Sequence, residues 1–305
     1  MVIRLGMIGF NDGNGHPFSF SAILNGYDDA AMRAAGWAVI ADYLVNEQRS
    51  SFATLDARVV CAWGPKPSVT LQLQRACYVD RVLERPEEMV GDVDAVLIAR
   101  DDWECHEPLA MPFLAEGMPV FVDKPLSLDP AQIRRLRPHL ESGRLCSWSG
   151  LRFSRELRSA RLAENDHAVV AYAAASWDRY AIHVIEPALS IMRGTPRVAT
   201  HVAGKRPEAV SFECDDGTTL TVEMLGSELG AGFRLEISGD RGIRTIELRD
   251  RFAAFKASLE AFIGTAITCE QPPSSELTLT ALRAVIAGRR ALDDRAPIKL
   301  VEVDI

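Results

Sequence analysis

The sequence predicts an α/β protein of two domains, a doubly wound parallel sheet followed by an α+β domain with an open, mostly antiparallel sheet. The chain has 305 residues, more than the roughly 100 to 200 that one domain usually takes. Its first half alternates short apolar runs with amphipathic stretches, whereas its second half has apolar runs at short intervals separated by turns. We therefore expect one domain over 1–125, a bridging helix and strand to about 150, and a second domain over 151–305.

Four apolar runs in the first half are typical of parallel strands. They are Val2 to Ile8, Ala57 to Trp63, Ala95 to Ala99 and Pro119 to Val122. Between the last two, Glu104 to Glu116 has helical spacing, which makes this stretch one strand-helix-strand unit. Such units pack as a doubly wound sheet that binds ligands at the carboxyl ends of its strands.

The bridging segment and the second domain show a different pattern. Asp129-Pro-Ala-Gln predicts a helix start, because Asp is a good N-cap and Pro suits the first turn. Two closing helices, near Phe252 to Ile263 and Ser275 to Ala291, are expected to cover one face of the second sheet. Its other face is expected to form a homodimer or homotetramer interface. The predicted strands are Ala168 to Ala175, Ala209 to Cys214, Thr218 to Leu225, Phe233 to Ser238 and Ile243 to Leu248.

Composition excludes several classes of protein. A net charge of -8 without a basic cluster argues against nucleic-acid binding. No apolar run approaches the roughly 18 residues of a membrane span, and the start lacks a signal peptide, so we expect a cytoplasmic protein. We expect reduced thiols and no metal site, since the cysteines have no C-x-x-C spacing. They are Cys61, Cys77, Cys105, Cys146, Cys214 and Cys269.

The turn after the first strand departs from the G-x-G-x-x-G pattern of a Rossmann dinucleotide site. Asn11 and Asn14 stand at the second and third glycine positions. A loop of this composition can still present backbone N–H groups to phosphate, although an ordinary surface turn fits the pattern equally well. The candidate cofactor contacts in this turn are Gly9, Asn11, Gly13, Asn14, Gly15 and His16.

The second strand ends without the acid that usually binds the ribose 2′-hydroxyl of NAD. Gly64 and Lys66 occupy that region, so the choice between NAD and NADP stays open, with Lys66 favouring NADP unless it is only a solvated lysine. Residues 25–50 form an insertion before this strand that is longer than one helix needs. Its role is open between packing and a lid over the site.

A lysine follows the last strand of the first half, in Phe-Val-Asp-Lys-Pro. Lys124 is expected to face the ligand crevice, and Pro125 restricts its backbone. With His106 upstream, Leu151-Arg-Phe, and His183 in Tyr-Ala-Ile-His, the chain resembles the glucose-fructose oxidoreductase/inositol dehydrogenase family, whose members carry Glu-Lys-Pro at this place. The resemblance implies a Rossmann domain followed by an open-faced α/β domain.

The resemblance also implies roles for individual residues. Lys124 would contact the substrate and the nicotinamide, Asp123 would replace the usual glutamate, and His183 would stand at the acid/base histidine. Proton transfer at oxygen is what hydride transfer between an alcohol and a carbonyl requires. A structural core histidine is the alternative for His183. The remaining candidate cofactor contacts are Lys66, Arg100, His106, Asp123 and Pro125.

Two departures from the family pattern bear on the substrate. Arg179 stands four residues before the histidine, where members often have an aspartate, and Asp178 precedes it. Arg100-Asp-Asp replaces a Thr-Pro pair, and an arginine there suits an anionic or nucleotide-linked sugar. The candidate substrate contacts, for which a structural ion-pair network is an alternative, are Arg152, Asp178, Arg179, Tyr180 and Glu186.

The sequence therefore predicts an NAD(P)-dependent oxidoreductase that acts on a sugar, a cyclitol or a sugar derivative. One alternative is a non-catalytic sensor or regulatory protein that keeps the cofactor fold. Another is an enzyme that uses bound NAD only transiently, as related glycosidases do. The sequence leaves the substrate, the direction of reaction and the oligomer size open.

Overall fold

The computed structural model describes residues 2–202, 204, 208–226, 232–267 and 274–305. Tertiary contacts divide the chain into two units. The first comprises Met1–Ser127, Arg135–Ser147 and Phe255–Pro273, and the second comprises Leu128–Arg134, Trp148–Ala254 and Ser274–Ile305. The predicted bridging helix is therefore divided between the two units. Cys269 lies outside the described residues, and the other five cysteines are free thiols.

The first unit contains a six-stranded, entirely parallel sheet, which confirms the predicted doubly wound fold. Its strands follow the order β3-β2-β1-β4-β5-β6. The strands are β1 (Ile3–Ile8), β2 (Ala57–Trp63), β3 (Arg81–Val82), β4 (Ala95–Ile98), β5 (Val120–Val122) and β6 (Leu145–Ser147). The helices of this part of the chain are α1 (His16–Asn25), α2 (Asp29–Ala34), α3 (Ala38–Leu44), α4 (Pro67–Ala76), α5 (His106–Ala115) and α6 (Pro130–Glu141).

The central strands are buried on both faces because helices cover both sides of a parallel sheet. Leu5, Met7 and Ile8 of β1 have no exposed surface, and neither do the four residues of β4. The strand order reverses between β1 and β4, and ligands bind at the carboxyl ends of strands beside such a reversal. This edge of the sheet carries the turn over residues 9–15.

The second unit contains a seven-stranded sheet in the order β12-β11-β7-β10-β9-β8-β13. Among the described strand pairs of this second sheet, only β7–β10 is parallel, so the predicted open, mostly antiparallel sheet is confirmed. The strands are β7 (Asp166–Ala173), β8 (Pro196–His201), β9 (Glu208–Cys214), β10 (Thr219–Met224), β11 (Phe233–Gly239), β12 (Gly242–Leu248) and β13 (Ile298–Lys299). The helices that follow α6 are α7 (Trp177–Tyr180), α8 (Ile182–Ile191), α9 (Arg251–Ile267) and α10 (Ser275–Asp294).

Helices α8 and α10 pack on one face of the second sheet. The strand β10 alternates accordingly, with Leu220, Val222 and Met224 buried on the helix side. Trp177 is fully buried in this layer and donates a hydrogen bond from Nε1 to the carbonyl oxygen of Val285 (2.9 Å). The core of the second unit therefore lies between the helices and this face of the sheet.

The prediction that both closing helices cover the second sheet is right for α10 and wrong for α9 from Phe255 onward. The ring of Phe255 lies 5.6 Å from that of Phe20, and the ring of Phe262 lies 5.7 Å from that of Phe121. These aromatic contacts belong to the first unit. Periodicity identifies an apolar helix but does not specify which surface it covers, because several surfaces offer comparable apolar area.

The insertion at 25–50 forms helices α2 and α3 and a 3₁₀ turn at Arg49–Ser51. Asp28 caps α2, because its side chain accepts a hydrogen bond from Ala31 N (2.7 Å). Ile40 and Leu44 of α3 are buried. Among the described residues, no helix has the length and apolar character to cross a membrane.

Candidate functional site

The turn between β1 and α1 is closely packed at two glycines. A Cβ atom on Gly9 would lie 2.8 Å from the ring of Pro17 at the start of α1. A Cβ atom on Gly64, at the end of β2, would lie 2.7 Å from the carbonyl oxygen of Gly9 and 2.9 Å from the ring of Phe10. All three distances are too short for a Cβ atom at either position. Gly64 therefore leaves no room for the usual acidic residue at its own position.

The two asparagines of this turn bind aspartates at the ends of neighbouring strands. The Asn11 amide donates to the carboxylate of Asp101, and Asp101 N donates back to Asn11 Oδ1 (3.2 Å). Asn14 Nδ2 donates to Asp123 Oδ2 (3.2 Å), while Asn14 Oδ1 accepts from His16 N (2.8 Å). The side chains that replace glycines thus tie the turn to the strand ends after β4 and β5.

Asp123, the first residue of the Asp-Lys-Pro loop, is the centre of a buried polar cluster. Its Oδ2 lies 2.5 Å from His16 Nδ1, and its Oδ1 accepts from Lys124 N (2.9 Å). Burial by itself raises the pKa of Asp123, but the charges of His16 and Lys124 and the hydrogen bonds outweigh it and hold that pKa below its ordinary value of 3.8. Asp123 is therefore a buried carboxylate.

The ring of His16 is fixed by aromatic neighbours as well as by Asp123. It stacks on Phe20, with ring centroids 5.2 Å apart, and meets the edge of Phe255 at 5.3 Å. An aspartate on Nδ1 and rings on the sides are the arrangement that fixes the orientation of an imidazole. The sequence identified both His16 and Asp123 as candidates without indicating that they pair.

Lys124 is buried at the end of β5, with 4% of its surface exposed. Its Nζ lies 3.9 Å from Asp101 Oδ2. Because Asn11 binds the same carboxylate, Asp101 joins the lysine loop to the turn after β1. The ammonium group is thereby held at the carboxyl-end edge of the sheet, and the ligand contact that the sequence predicts for Lys124 stays a prediction.

His106 links two loops of the same edge. It is fully buried, and its ring nitrogens contact the backbone oxygens of Leu126 (3.0 Å) and Arg100 (2.9 Å). Burial is the largest influence on the pKa of His106 and lowers it, while the two carbonyl oxygens oppose that effect. The structure assigns His106 the task of holding these loops together, and the predicted cofactor contact stays a prediction.

A cavity of about 420 Å³ lies beside this edge within the first unit. Four predicted cofactor residues line it, namely Asn11, Gly13, Lys66 and Arg100. The guanidinium of Arg100 is already paired with the carboxylate of Asp102, with a distance of 2.8 Å from Nε to Oδ1. The other lining residues are Phe10, Asp12, Ala35, Trp37, Pro65, Val69 and Gln72.

Trp37, in the link between α2 and α3, makes the insertion part of this cavity wall. A Cβ atom on Gly15 would lie 2.6 Å from Ile40 Cδ1 and 2.8 Å from the Trp37 ring. The ring of Phe18 lies 5.6 Å from the Trp37 ring. Gly15 therefore lets the insertion pack against the start of α1, while a lid over the site stays a prediction. Which insertion residue would reach the cavity could not be predicted from the sequence pattern.

The residues around the cavity fit the phosphate and adenosine parts of a nicotinamide dinucleotide. Flat apolar walls from Phe10, Trp37 and Pro65 suit a base, and Lys66 supplies a cation at the mouth, where it pairs with Asp12 (2.6 Å). The turn after β1 leads into the N-terminus of α1, where oriented N–H groups favour an anion. The volume also lies in the range of small-molecule sites.

The second unit contains a separate buried polar cluster around His183, in the first turn of α8. Its Nδ1 lies 2.7 Å from the hydroxyl oxygen of Ser149, a residue that the sequence interpretation missed. Glu186, one turn further along α8, accepts a hydrogen bond from Ser149 N at 2.6 Å. The rings of Phe233 and Tyr180 lie 5.2 and 5.7 Å from that of His183. The polar groups are thus joined within an aromatic wall.

Glu186 is almost completely buried, with 1% of its surface exposed. Burial raises its pKa from 4.5 to about 7, although the charge of Arg152 and the hydrogen bond from Ser149 act in the opposite direction. This carboxyl group therefore titrates near neutral pH.

The remaining predicted substrate residues are engaged within the second unit. Asp178 binds Arg289, with a distance of 2.7 Å from Oδ1 to Nε, so the carboxylate nearest in sequence to the expected aspartate has its own cation. The guanidinium of Arg152 donates to Thr278 Oγ1 (3.2 Å) and stacks near Trp148. Arg179 lies 6.0 Å from the ring of Tyr180. Across the described ranges, no group of three His, Cys, Asp or Glu side chains is arranged to hold a metal ion.

Comparison with known proteins bears on the first unit most directly. Residues 34–149 match an oxidoreductase family described by its NAD-binding Rossmann fold. This segment is thus similar to the glucose-fructose oxidoreductase/inositol dehydrogenase family. The resemblance predicted from the sequence is confirmed, and so is the cofactor class, a nicotinamide dinucleotide. No curated protein sequence matches the chain.

Solved structures share the fold over nearly the whole chain. A myo-inositol dehydrogenase from Lactobacillus casei in complex with NAD(H) and myo-inositol has a TM-score of 0.77 at 15% identity, covering 98% of this chain and 97% of its own. A scyllo-inositol dehydrogenase from the same organism, with NAD(H) and scyllo-inositol, has a TM-score of 0.74 at 16% identity, covering 99% and 100%. GenD2 of gentamicin A biosynthesis, in complex with NAD, has a TM-score of 0.73 at 14% identity, covering 97% and 96%. At these identities the likeness concerns the fold.

Proposed function

We propose that this protein is an NAD(P)-dependent dehydrogenase or reductase that acts on a CH–OH group of a sugar, a cyclitol or a sugar derivative. The observation that carries the proposal is the position of Lys124. Its buried ammonium group is held at the carboxyl-end edge of the first sheet through Asp101, which also binds Asn11 in the cavity wall. A fixed cation at this edge is suited to bind the oxygen of a reacting alcohol or carbonyl.

The cofactor would be held by residues that line the cavity. Phe10, Trp37 and Pro65 would contact the adenine, while Gly13 and the start of α1 would face the phosphates. When bound, the nicotinamide accepts or supplies the hydride. Lys66 on the cavity, together with the absence of space for an acid at Gly64, favours NADP over NAD.

The protein would supply the proton chemistry. In our proposal Lys124 Nζ binds the reacting oxygen, and Lys124 with His183 forms the proton-handling pair. Several inositol dehydrogenases among the structural relatives act on polyhydroxylated rings, which supports a sugar-like substrate. Arg100 is paired with Asp102, so an anionic group on the substrate would have to compete with that aspartate.

The test measures binding and turnover separately. Purified protein is titrated with NADPH and NADH by fluorescence, and turnover is measured with a panel of polyols, cyclitols and nucleotide sugars. Lys124→Ala should lower kcat by at least about 100-fold, within the usual range for one acid/base group, while the Kd of the cofactor changes little. Lys299→Ala, in an exposed lysine of the second unit, is the matched control. Full turnover by Lys124→Ala would remove this lysine from the mechanism.

A non-catalytic sensor of the same fold is the second candidate. It is favoured by the asparagine side chains at the glycine positions and by the pairing of Asp178 with Arg289. Tight cofactor binding without turnover on the whole panel, together with affinity for a protein partner, would support the sensor. Turnover with any member of the panel would exclude it.

We further propose that the protein forms a homodimer or homotetramer through the second sheet. The strand β10 presents Thr219, Thr221 and Glu223, all half-buried, on the side opposite its buried residues. Sedimentation velocity of the protein and of a Thr221→Arg variant tests this proposal. A charge at the centre of that face should shift the distribution to monomer, and an unchanged oligomer would contradict the proposed interface.

A further inference from the structure

Ser149 is the buried hydrogen-bond partner of the imidazole of His183. Ser149 has no exposed surface, and its hydroxyl oxygen lies 2.7 Å from His183 Nδ1. It precedes the 3₁₀ turn at Gly150–Phe153, and its backbone N–H donates to Glu186 Oε2. The main chain at Ser149 is therefore anchored to α8, which limits the positions that the short side chain can reach.

The hydrogen-bonding capacity of a serine hydroxyl determines whether Ser149 or His183 is the donor in this hydrogen bond. The oxygen already accepts a hydrogen bond from Leu151 N (3.3 Å), and a hydroxyl has a single hydrogen to donate. If His183 Nδ1 carried a proton and donated it to Ser149, the hydroxyl hydrogen would have no acceptor among the described residues. Buried polar groups rarely lack partners, so the hydroxyl donates to Nδ1.

We propose that Ser149 is a positioning residue that fixes neutral His183 in the tautomer with its proton on Nε2. The tautomer follows from the hydrogen bonds alone, whereas its effect on the reaction rests on the proposed function, in which His183 handles a proton. An aspartate partner, which the family resemblance predicts, would have the opposite effect, because a carboxylate accepts a proton from one nitrogen and leaves the other as a base. With Ser149, the neutral ring instead offers an N–H to its surroundings.

This tautomer has a consequence for the direction of the reaction. An Nε2–H group binds a carbonyl oxygen and increases its susceptibility to hydride, as a neutral histidine electrophile does in known enzymes. Within the proposed function, this tautomer therefore favours reduction of the carbonyl form of the substrate over oxidation of the alcohol. The groups around the ring include Glu186, with Arg152 acting on its charge, and the aromatic side chains of Tyr180 and Phe233.

Nitrogen NMR of the ring tests the tautomer without any turnover. Protein labelled with ¹⁵N-histidine is observed at pH 8, and His183→Asn identifies the resonances of His183. We expect a protonated Nε2 and an unprotonated Nδ1 in the wild-type protein, and a mixture of tautomers in Ser149→Ala. A protonated Nδ1 in the wild-type protein overturns the inference, even if Ser149→Ala does not fold. Identical His183 resonances in folded Ser149→Ala also overturn it.

Two further variants separate positioning from packing. Ser149→Thr keeps the hydroxyl and should keep the wild-type tautomer. Ser154→Ala removes another buried hydroxyl of the same segment, one that has no hydrogen-bond partner among the described residues, and should change nothing. A Ser154→Ala spectrum that changes as much as that of Ser149→Ala would show a packing effect and would overturn the inference.

Kinetics with a substrate found in the panel complete the test. Ser149→Ala should lower kcat/KM for reduction about 10- to 100-fold, by analogy with the loss when a hydrogen-bond partner of a metal-bound histidine is removed, and Ser149→Thr should restore most of it. If the wild-type protein turns over nothing, the proposed function fails while the NMR result still decides the tautomer. If it turns over substrate and Ser149→Ala is equally active, the positioning role fails alone.

Discussion

The buried carboxyl group of Glu186 makes the stability of the second unit depend on pH near neutrality. Burial raises its pKa from 4.5 to about 7, so between these values the folded state binds more protons than the unfolded state. The free energy of unfolding must then fall as pH rises through that window. A difference of about 2.5 pH units corresponds to about 3 kcal/mol, because one unit is worth about 1.4 kcal/mol.

Glu186→Gln removes the titrating group and keeps an oxygen that can accept from Ser149 N. From pH 5 to pH 8, the free energy of unfolding of the variant should therefore rise relative to that of the wild-type protein by about 2 to 3 kcal/mol, since part of the effect already lies below pH 5. Urea unfolding of both proteins at pH 5, 6, 7 and 8 measures the difference. Glu213→Gln, in an exposed carboxyl group of β9, is the matched control and should follow the wild-type protein. If the free energies of unfolding of Glu186→Gln and the wild-type protein differ by the same amount at pH 5 and at pH 8, the reasoning is refuted.

Two further predictions concern the first unit. Trp37→Ala should weaken the binding of NADPH about tenfold, since stacking of a base on an aromatic ring contributes about 1 to 3 kcal/mol. The control Val39→Ala, at a 60% exposed position of the same insertion, should leave the Kd unchanged. Equal Kd values for Trp37→Ala and the wild-type protein in fluorescence titrations would exclude stacking of the adenine on Trp37. Asp123→Asn should lower the free energy of unfolding by about 3 kcal/mol at pH 7, because it leaves His16 and its neighbours without their buried anion. Since the pKa of Asp123 is held below 3.8, its contribution is present above about pH 4 and is lost as pH falls further, so the loss in urea unfolding should shrink there. The exposed Asp304→Asn should have little effect at any pH, and a loss independent of pH in Asp123→Asn would contradict the assignment.

The central strands of the first sheet could be predicted because their residues are apolar on both faces. β4 is the continuous run Ala-Val-Leu-Ile, and β1 is apolar apart from the exposed Arg4, as parallel strands covered by helices require. β3 has two residues and carries no periodic pattern. β8 begins with Pro196 and includes Arg197, so its alternation is weak. Short or polar strands form because neighbouring strands offer partners, which the sequence does not display.

The candidate site was predictable at the level of residue types but not of pairs. The lysine loop and His183 follow from a motif, whereas the partner of His183 lies 34 positions away with no fixed spacing. His16 and Asp123 are 107 positions apart, and only the closeness of α1 to the end of β5 brings them together. Trp37 reaches the cavity because Gly15 admits it, a contact between two elements whose packing is not encoded in either segment alone.

The residues that depart from the family pattern at the first sheet form hydrogen bonds with one another. Asn11, at a glycine position, binds Asp101, which belongs to the segment that replaces Thr-Pro. Asn14, at the next glycine position, binds Asp123, which stands in place of glutamate. Each carboxylate also has a cationic or imidazole partner, because Lys124 lies beside Asp101 and His16 beside Asp123. The aspartates near the turn are therefore compensated within the first unit, and an anionic phosphate can approach an edge of the sheet that the sequence alone would suggest is acidic.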